Sequence, residues 1–65
     1  MENTMVEYIV GHVAHDGYLY SLFESVDLSE AEEYAARISA APGRRIEIRR
    51  VTTTKKIEEI FANKG

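Results

Sequence analysis

Two histidines and an aspartate form the one grouping in this chain that resembles a site for metal binding or proton transfer. His12, His15 and Asp16 lie close together in the sequence. Residues an odd number of positions apart point to opposite faces of a strand, so His12 and His15 could not easily hold one metal ion between them. A tetrahedral site would also need a further ligand. We therefore interpret His15 and Asp16 as turn residues and expect no metal and no cofactor.

The remaining candidate nucleophiles and phosphate-binding groups show no catalytic pattern. The chain has no cysteine, so it offers neither a thiolate nor a disulfide, and its four glycines are isolated rather than grouped into a phosphate loop. No serine stands in a recognisable arrangement with a base and an orienting group. We expect a protein that is not an enzyme. The serines considered are Ser21, Ser25, Ser29 and Ser39.

Charge is divided unevenly along the chain. Residues 1–36 hold eight acidic residues and no lysine or arginine, and residues 37–65 hold eight basic and three acidic residues, so −8 and +5 give the net charge of −3. Six of the bases lie close together and are called the basic group below. Their side chains could bind carboxylates or phosphates. The basic group consists of Arg44, Arg45, Arg49, Arg50, Lys55 and Lys56.

Three interpretations of the basic group are open. It could guard a sheet edge against aggregation or pair with acids of the same chain. It could bind the acidic surface of another protein, or it could bind nucleic acid. A pI of 5.3 argues against nucleic acid as the main partner, and the aromatic residues are not interleaved with the arginines as a single-strand stacking platform would require.

A β-hairpin is predicted in the acidic half. Residues 5–14 and 18–25 are rich in β-branched and aromatic residues, which favours two strands. Asp16-Gly17 between them is typical of a tight turn. If these two residues form the loop, Tyr18 pairs with His15 and Tyr20 with Val13.

Both faces of this hairpin are predicted to be apolar, although one helix can cover only one of them. The face left over would be covered by the C-terminal segment or would contact a partner, either a second copy of the chain or another protein. The first face would carry Val6, Tyr8, Val10, Ala14, Leu19 and Phe23. The second would carry Ile9, Val13, Tyr18, Tyr20 and Leu22.

The rest of the chain predicts an α+β fold. Residues 28–41 form an amphipathic helix that Asp27 or Ser29 caps and Pro42-Gly43 ends. Residues 44–51 predict a third strand, and residues 55–63 a short amphipathic helix. The three strands would form one antiparallel sheet in the order 2-1-3, with the main helix on one face and the third strand at an edge.

The sequence also predicts where the chain is found in the cell. No apolar run approaches the roughly 18 residues that span a bilayer, and the start of the chain has no signal-peptide pattern. We expect a single cytoplasmic domain, monomeric or homodimeric, with no membrane contact.

Segments 27–35 and 41–51 carry a resemblance to a known family. The first is an acidic capped helix start, and in the second Pro42-Gly43 lead into an arginine-bearing strand. Together with the element order over residues 6–51, this is similar to the small early protein of T-odd coliphages that binds and inhibits bacterial RNA polymerase. The resemblance implies that Arg49 and Arg50 face the polymerase. This chain differs in having more arginine before the strand and an extra C-terminal segment.

We therefore expect a non-enzymatic protein-binding module, encoded by a phage or mobile element, that modulates a host protein such as RNA polymerase by occluding its surface. The arginines would engage an acidic surface and the tyrosines would add apolar contact. The alternatives are a nucleic-acid-binding protein that uses the third strand, and a structural homodimer closed over the second sheet face. The expected partner-binding residues are Arg44, Arg45, Arg49, Arg50, Tyr18 and Tyr20.

Overall fold

A computed structural model describes residues 4–53 and 56–63 of the chain. The described part folds into one helix and four strands. Within these ranges no helix has the length and apolar character that crossing a membrane would require. The elements are β1 (Val6–Val13), β2 (Leu19–Ser25), α1 (Leu28–Ile38), β3 (Ile46–Thr52) and β4 (Ile57–Ala62).

The strands form one antiparallel sheet in the order β2-β1-β3-β4. The predicted α+β class and the order of the first three strands are confirmed, with a fourth strand added. The predicted C-terminal helix is wrong, because Ile57–Ala62 pairs with β3 as a strand (residue 55 lies outside the described residues). As a result β3 lies inside the sheet, and its predicted place at an edge is also wrong.

The turn between β1 and β2 is one residue longer than predicted. Ala14 donates its N–H to Tyr18 O at 2.9 Å, and Gly17 donates its N–H to Ala14 O at 2.8 Å. Gly17 has a φ of +90°, a conformation that glycine adopts without steric cost. The loop therefore contains His15, Asp16 and Gly17, and the Asp16 carboxylate accepts a hydrogen bond from the Tyr18 N–H at 3.0 Å.

The longer turn changes which residues share a face. Val13 pairs with Leu19 and His12 with Tyr20, so the predicted pair of Val13 with Tyr20 is wrong, as is that of His15 with Tyr18. A shift of one residue moves each side chain to the opposite face of the sheet. Tyr20 consequently lies on the same side as Val10, and Leu19 on the other.

A β-bulge in β2 then reverses this shift. Phe23 pairs with Val10 and Ser21 with Gly11, so Leu22 is an extra residue without a partner across the ladder. The bulge returns Phe23 to the side that α1 covers. The predicted shared face of Val10 and Phe23 is therefore confirmed, although the pairing that leads to it differs.

Helix α1 begins and ends for local reasons. Asp27 caps its start by accepting a hydrogen bond from the Ser29 N–H at 2.9 Å. The helix ends at Ile38, with Ser39 as C-cap, and not at residue 41 as predicted. Ala41 precedes Pro42, and the residue before proline is disfavoured in helical conformation.

The core lies between α1 and one face of the sheet, called the helix side below. Small residues on the helix, Ala31 and Ala35, let it approach the sheet closely. Around this core pack partly buried apolar side chains from β1, β2, α1 and β4, with Ile60 and Phe61 contributed by β4. The fully buried cluster consists of Val10, Ala31, Ala35, Ile46 and Ile48.

The opposite face is called the far side, and residues 57–62 do not cover it, because they pair within the sheet as β4. Leu19 occupies the space above Gly11, where an added Cβ would lie 2.8 Å from Leu19 Cγ. Glu47, which pairs with Gly11, is only 1% exposed on this face. Side chains of the sheet itself therefore fill much of the far side, and Val13 is buried there.

Candidate functional site

Two arginines of the basic group are held by one buried carboxylate on the far side. Arg49 donates from Nε and Nη2 to Glu47 Oε1, both at 3.1 Å. Arg45 Nη2 lies 3.1 Å from Glu47 Oε2. Residues 47 and 49 alternate along β3, and Arg45 directly precedes the strand in the same alternation, so the three side chains emerge on the same face. Burial of Glu47 is tolerated because both of its oxygens are paired with cations.

A third arginine of the basic group joins β3 to β4. Arg50 binds Glu58, its cross-strand partner, and Lys56 Nζ lies 3.2 Å from the other carboxylate oxygen of Glu58. The hydrogen bond and the charge of Glu58 raise the pKa of Arg50, with a smaller contribution from Tyr8. The hydrogen bonds from Arg50 and then from Lys56 lower the pKa of the Glu58 carboxyl.

Four of the five described members of the basic group are therefore paired with acids of the same chain, although only two carboxylates, those of Glu47 and Glu58, serve all four. Among the residues that the structure describes, Arg44 alone of the bases forms no ion pair. Arg45 remains 57% exposed at its side chain and Arg49 29%. Of the interpretations left open by the sequence, internal pairing accounts for the positions of Arg45, Arg49 and Arg50.

The two tyrosines predicted to bind a partner lie at the exposed end of the hairpin. Tyr18 is 61% exposed and Tyr20 55%, and their rings meet edge to face with centroids 4.7 Å apart. Both tyrosines lie on the helix side of the sheet and not on the far side, because the turn is one residue longer than predicted. Leu22, at the bulge, is 45% exposed.

Strand β2 forms one edge of the sheet, and its outward backbone groups can be assigned. Val13 donates its N–H to the backbone oxygen of Arg45, the residue that precedes β3, so the backbone groups of Val13 point away from β2. In an antiparallel ladder the partner of such a residue points its own groups away as well, and the pattern repeats every second residue. Leu19 and Ser21 therefore present their N–H and C=O groups at the free edge, called the β2 edge below.

A groove opens between α1 and β2. Its lining includes the stacked pair Phe23 and Tyr34, whose ring centroids lie 4.6 Å apart at an interplanar angle of 11°. Glu30, Glu33 and Arg37 complete its lining, and its volume is about 190 Å³. We call it the aromatic groove. Because β2 is an edge strand and neither β1 nor β3 lines the groove, it lies directly beside the β2 edge.

The aromatic groove was not predicted from the sequence, although the spacing of its helix residues could have indicated that they share one face. Glu30, Glu33, Tyr34 and Arg37 follow the three- and four-residue spacing of one helix face. Phe23 lies on the face predicted for it, but its stacking against Tyr34 is a tertiary contact that the sequence pattern does not indicate. Arg37 pairs with Glu33 at 3.5 Å across one helical turn, and both side chains are highly exposed.

The histidines line a separate hollow beside the hairpin turn. It has a volume of about 700 Å³ and is bordered by residues 12–15, Gly43 and Arg45. His12 lies in β1 and His15 in the turn. Within residues 4–53 and 56–63, no cluster of three or more His, Cys, Asp or Glu side chains is arranged to hold a metal ion.

Comparisons with known proteins add no relative. No protein-family model matches the chain, and neither a curated protein nor a solved structure matches it. The candidate site therefore consists of the β2 edge, the exposed side chains beside it and the aromatic groove, and it is defined by geometry alone.

Proposed function

We propose that this chain is a non-enzymatic protein-binding module that accepts a partner segment as an added strand at the β2 edge. The observation that carries the proposal is the character of that edge. Leu19 and Ser21 turn outward backbone groups that have no partner within the described residues, and Tyr18, Tyr20 and Leu22 expose large apolar surfaces next to them. Strand addition uses both features, because backbone hydrogen bonds supply affinity and neighbouring side chains supply selectivity.

The two edges of the sheet differ in a way that supports this choice. Natural proteins protect a free edge with charged side chains, proline or bulges. Strand β4 carries Glu58 and Glu59 and follows Lys56, whereas β2 has Glu24 as its single charged residue and contains no lysine, arginine or proline. The bulge at Leu22 interrupts the accessible ladder, so that only a short stretch is open on either side of it. An edge left open over so short a stretch suits a specific partner better than unlimited association.

The proposed mode of action is occlusion of a partner surface, which requires no catalytic group. A host protein such as bacterial RNA polymerase, which the family resemblance implies, would then be bound at the β2 edge. Binding through Arg49 and Arg50 would instead require these side chains to leave Glu47 and Glu58. That exchange replaces one set of ion pairs with another and adds little net free energy.

The experiment is a comparative capture from a bacterial lysate with quantitative mass spectrometry. Three immobilised forms are compared: the wild type, Tyr20→Lys/Leu22→Lys at the β2 edge, and a control with Met5→Lys/Ile57→Lys. The control alters two equally exposed apolar residues elsewhere, at 59% and 63% exposure. We expect a protein retained by the wild type and the control and lost with the edge variant.

A fourth form separates this proposal from binding through the basic group. If Arg49→Glu/Arg50→Glu abolishes capture while the edge variant retains it, the β2 edge is not the binding surface. Circular dichroism of each variant establishes that loss of capture does not reflect loss of folding.

The two other functions make different predictions. Nucleic-acid binding would retain the chain on a filter with DNA or RNA at low salt and fail steeply as salt rises. A homodimer would sediment as twice the monomer mass at micromolar concentration. We expect neither, since the described bases are mostly paired and the β2 edge lies in the half of the chain that carries −8.

A further inference from the structure

Resting on the proposed function, we infer that the partner segment is a basic extended peptide, and that one of its lysine or arginine side chains enters the aromatic groove. Three features of the site indicate this chemistry: the lining of the groove, the charge around it and its distance from the added strand.

The lining of the groove suits a cationic side chain. A lysine or arginine stem packs on aromatic carbon while its cationic end stays near polar or charged groups. Phe23 and Tyr34 supply that carbon, and because the two rings stack on each other, the faces that meet are closed to a cation. Glu30 accepts a hydrogen bond from the Ser25 hydroxyl at 3.1 Å with Oε2, and within the described residues its Oε1 accepts none. That oxygen is available to a partner.

The charge around the site selects the same chemistry. Every ionised residue of β2 and of the first two turns of α1 is acidic, and Arg37 is the single base in the lining of the groove. Two copies of the chain paired through this edge would bring two acidic surfaces together. Like charges placed opposite one another oppose association and opposite charges favour it. The surface is therefore complementary to a basic partner and not to itself.

The distance between groove and edge fixes the pattern expected in the partner. An added strand would lie about 4.8 Å outside β2, and its side chains would alternate between the two faces of the sheet. A partner residue on the helix side, next to Phe23, would extend toward the groove. One beside Tyr20 would meet the exposed tyrosines. Because the bulge separates these positions, we expect a basic residue about two or three positions from an apolar or aromatic one.

The test is a selection from a random display library of twelve-residue peptides against the immobilised full chain. Enriched peptides are synthesised with a fluorophore, and their affinities are measured by anisotropy at low and physiological salt. We expect enriched sequences to contain lysine or arginine in the stated spacing, and replacement of that residue by norleucine to weaken binding. Affinity should also fall as salt rises.

The variant that tests the groove is Glu30→Gln/Glu33→Gln, in which each glutamine keeps the shape and the hydrogen-bond acceptor of the original side chain. It should weaken binding of the basic peptides by about three- to tenfold, the effect of two exposed ion pairs. The matched control is Glu32→Gln/Glu59→Gln, which changes the net charge equally at two exposed positions outside the groove. The control should change affinity by less than about twofold. If the control lost as much affinity as the groove variant, the assignment of the groove as the site of the basic side chain would be overturned.

The outcomes also separate this inference from the proposed function. Enriched peptides without a basic preference that still lose binding to Tyr20→Lys/Leu22→Lys would overturn the basic partner and leave strand addition standing. Enriched peptides unaffected by that edge variant, or no enrichment at all, would overturn both.

Discussion

At the residue scale, Gly11 shows how closely strands β1 and β2 approach where the bulge begins. A Cβ added to Gly11 would lie 2.6 Å from the backbone oxygen of Tyr20 and 2.8 Å from Leu19 Cγ. Contacts this short do not occur, so a larger residue would force the backbone of β2 outward. The absence of a side chain at residue 11 thus permits the bend that places Phe23 over the core.

We predict that Gly11→Ala lowers the free energy of unfolding by about 1–3 kcal/mol, because the added methyl overpacks a site bounded by backbone. Urea denaturation followed by circular dichroism measures it. In a Leu19→Ala background the same substitution should cost less, since one of the two close contacts is removed. An unchanged unfolding free energy in the wild-type background would mean that the strands do not approach this closely.

Some of these residues could be assigned from the sequence and others could not. Asp16 and Gly17 are correctly predicted to lie in a turn, but the same sequence pattern is compatible with a two-residue loop and with a three-residue loop that includes His15. That single residue of length decides on which face Tyr18 and Tyr20 lie. The exposure of both tyrosines is observed, whereas their partner-binding role stays a prediction.

At the element scale, β4 shows why a strand was predicted as a helix. Ile57, Ile60 and Phe61 stand at the three- and four-residue spacing that indicates a helical stripe. In the sheet, a register shift between Ile48 and Arg49 of β3 leaves Ile60 as the extra residue of β4, and Ile60 and Phe61 both pack on the core. A bulge disturbs the two-residue period of a strand and so imitates a helical pattern over a short segment.

The ion pairs of Glu58 give β4 a dependence on pH. Because the pKa of the folded-state carboxyl is lowered by Arg50 and Lys56, the stabilisation is present above the ordinary pKa of about 4.5 and is lost as pH falls through the lower folded value. We predict that Glu58→Gln lowers the melting temperature at pH 7 and that its difference from the wild type shrinks below pH 4.5.

The control for this pH effect is Glu59→Gln, the adjacent residue, which faces the other side of β4 and is exposed. Its melting temperature should follow the wild type across the range. A difference between Glu58→Gln and the wild type that stays constant from pH 7 to strongly acidic conditions would show that the carboxyl contributes by packing and not by charge.

At the scale of the whole molecule, the protein is a thin plate with extents of 45 × 25 × 15 Å. One short helix lies on one side of a four-stranded sheet, so a single layer of side chains supplies most of the core. The order of the first three strands could be predicted because a crossover helix favours few topologies. The fourth strand could not, since pairing with β3 is a tertiary contact that the local pattern of residues 57–62 does not encode.

A core this thin should be sensitive to single truncations. We predict that Ile48→Ala, at a fully buried position, lowers the free energy of unfolding by about 2–5 kcal/mol, a large share of what a chain of this size has. The same substitution at Ile57, which is 63% exposed, should cost less than about 1 kcal/mol. Equal losses in a urea titration would contradict the assigned core.

The bulge in β2 determines what deletion of Leu22 would do to the protein. Leu22 is surplus to the ladder, so deleting it would join Ser21 to Phe23 in plain alternation and keep Phe23 opposite Val10. A chain one residue shorter would retain its core while losing the kink that interrupts its open margin. Without the bulge, the β2 edge would offer a longer uninterrupted row of backbone groups to other copies of the chain. The shortened protein would then be more prone to assemble into fibres.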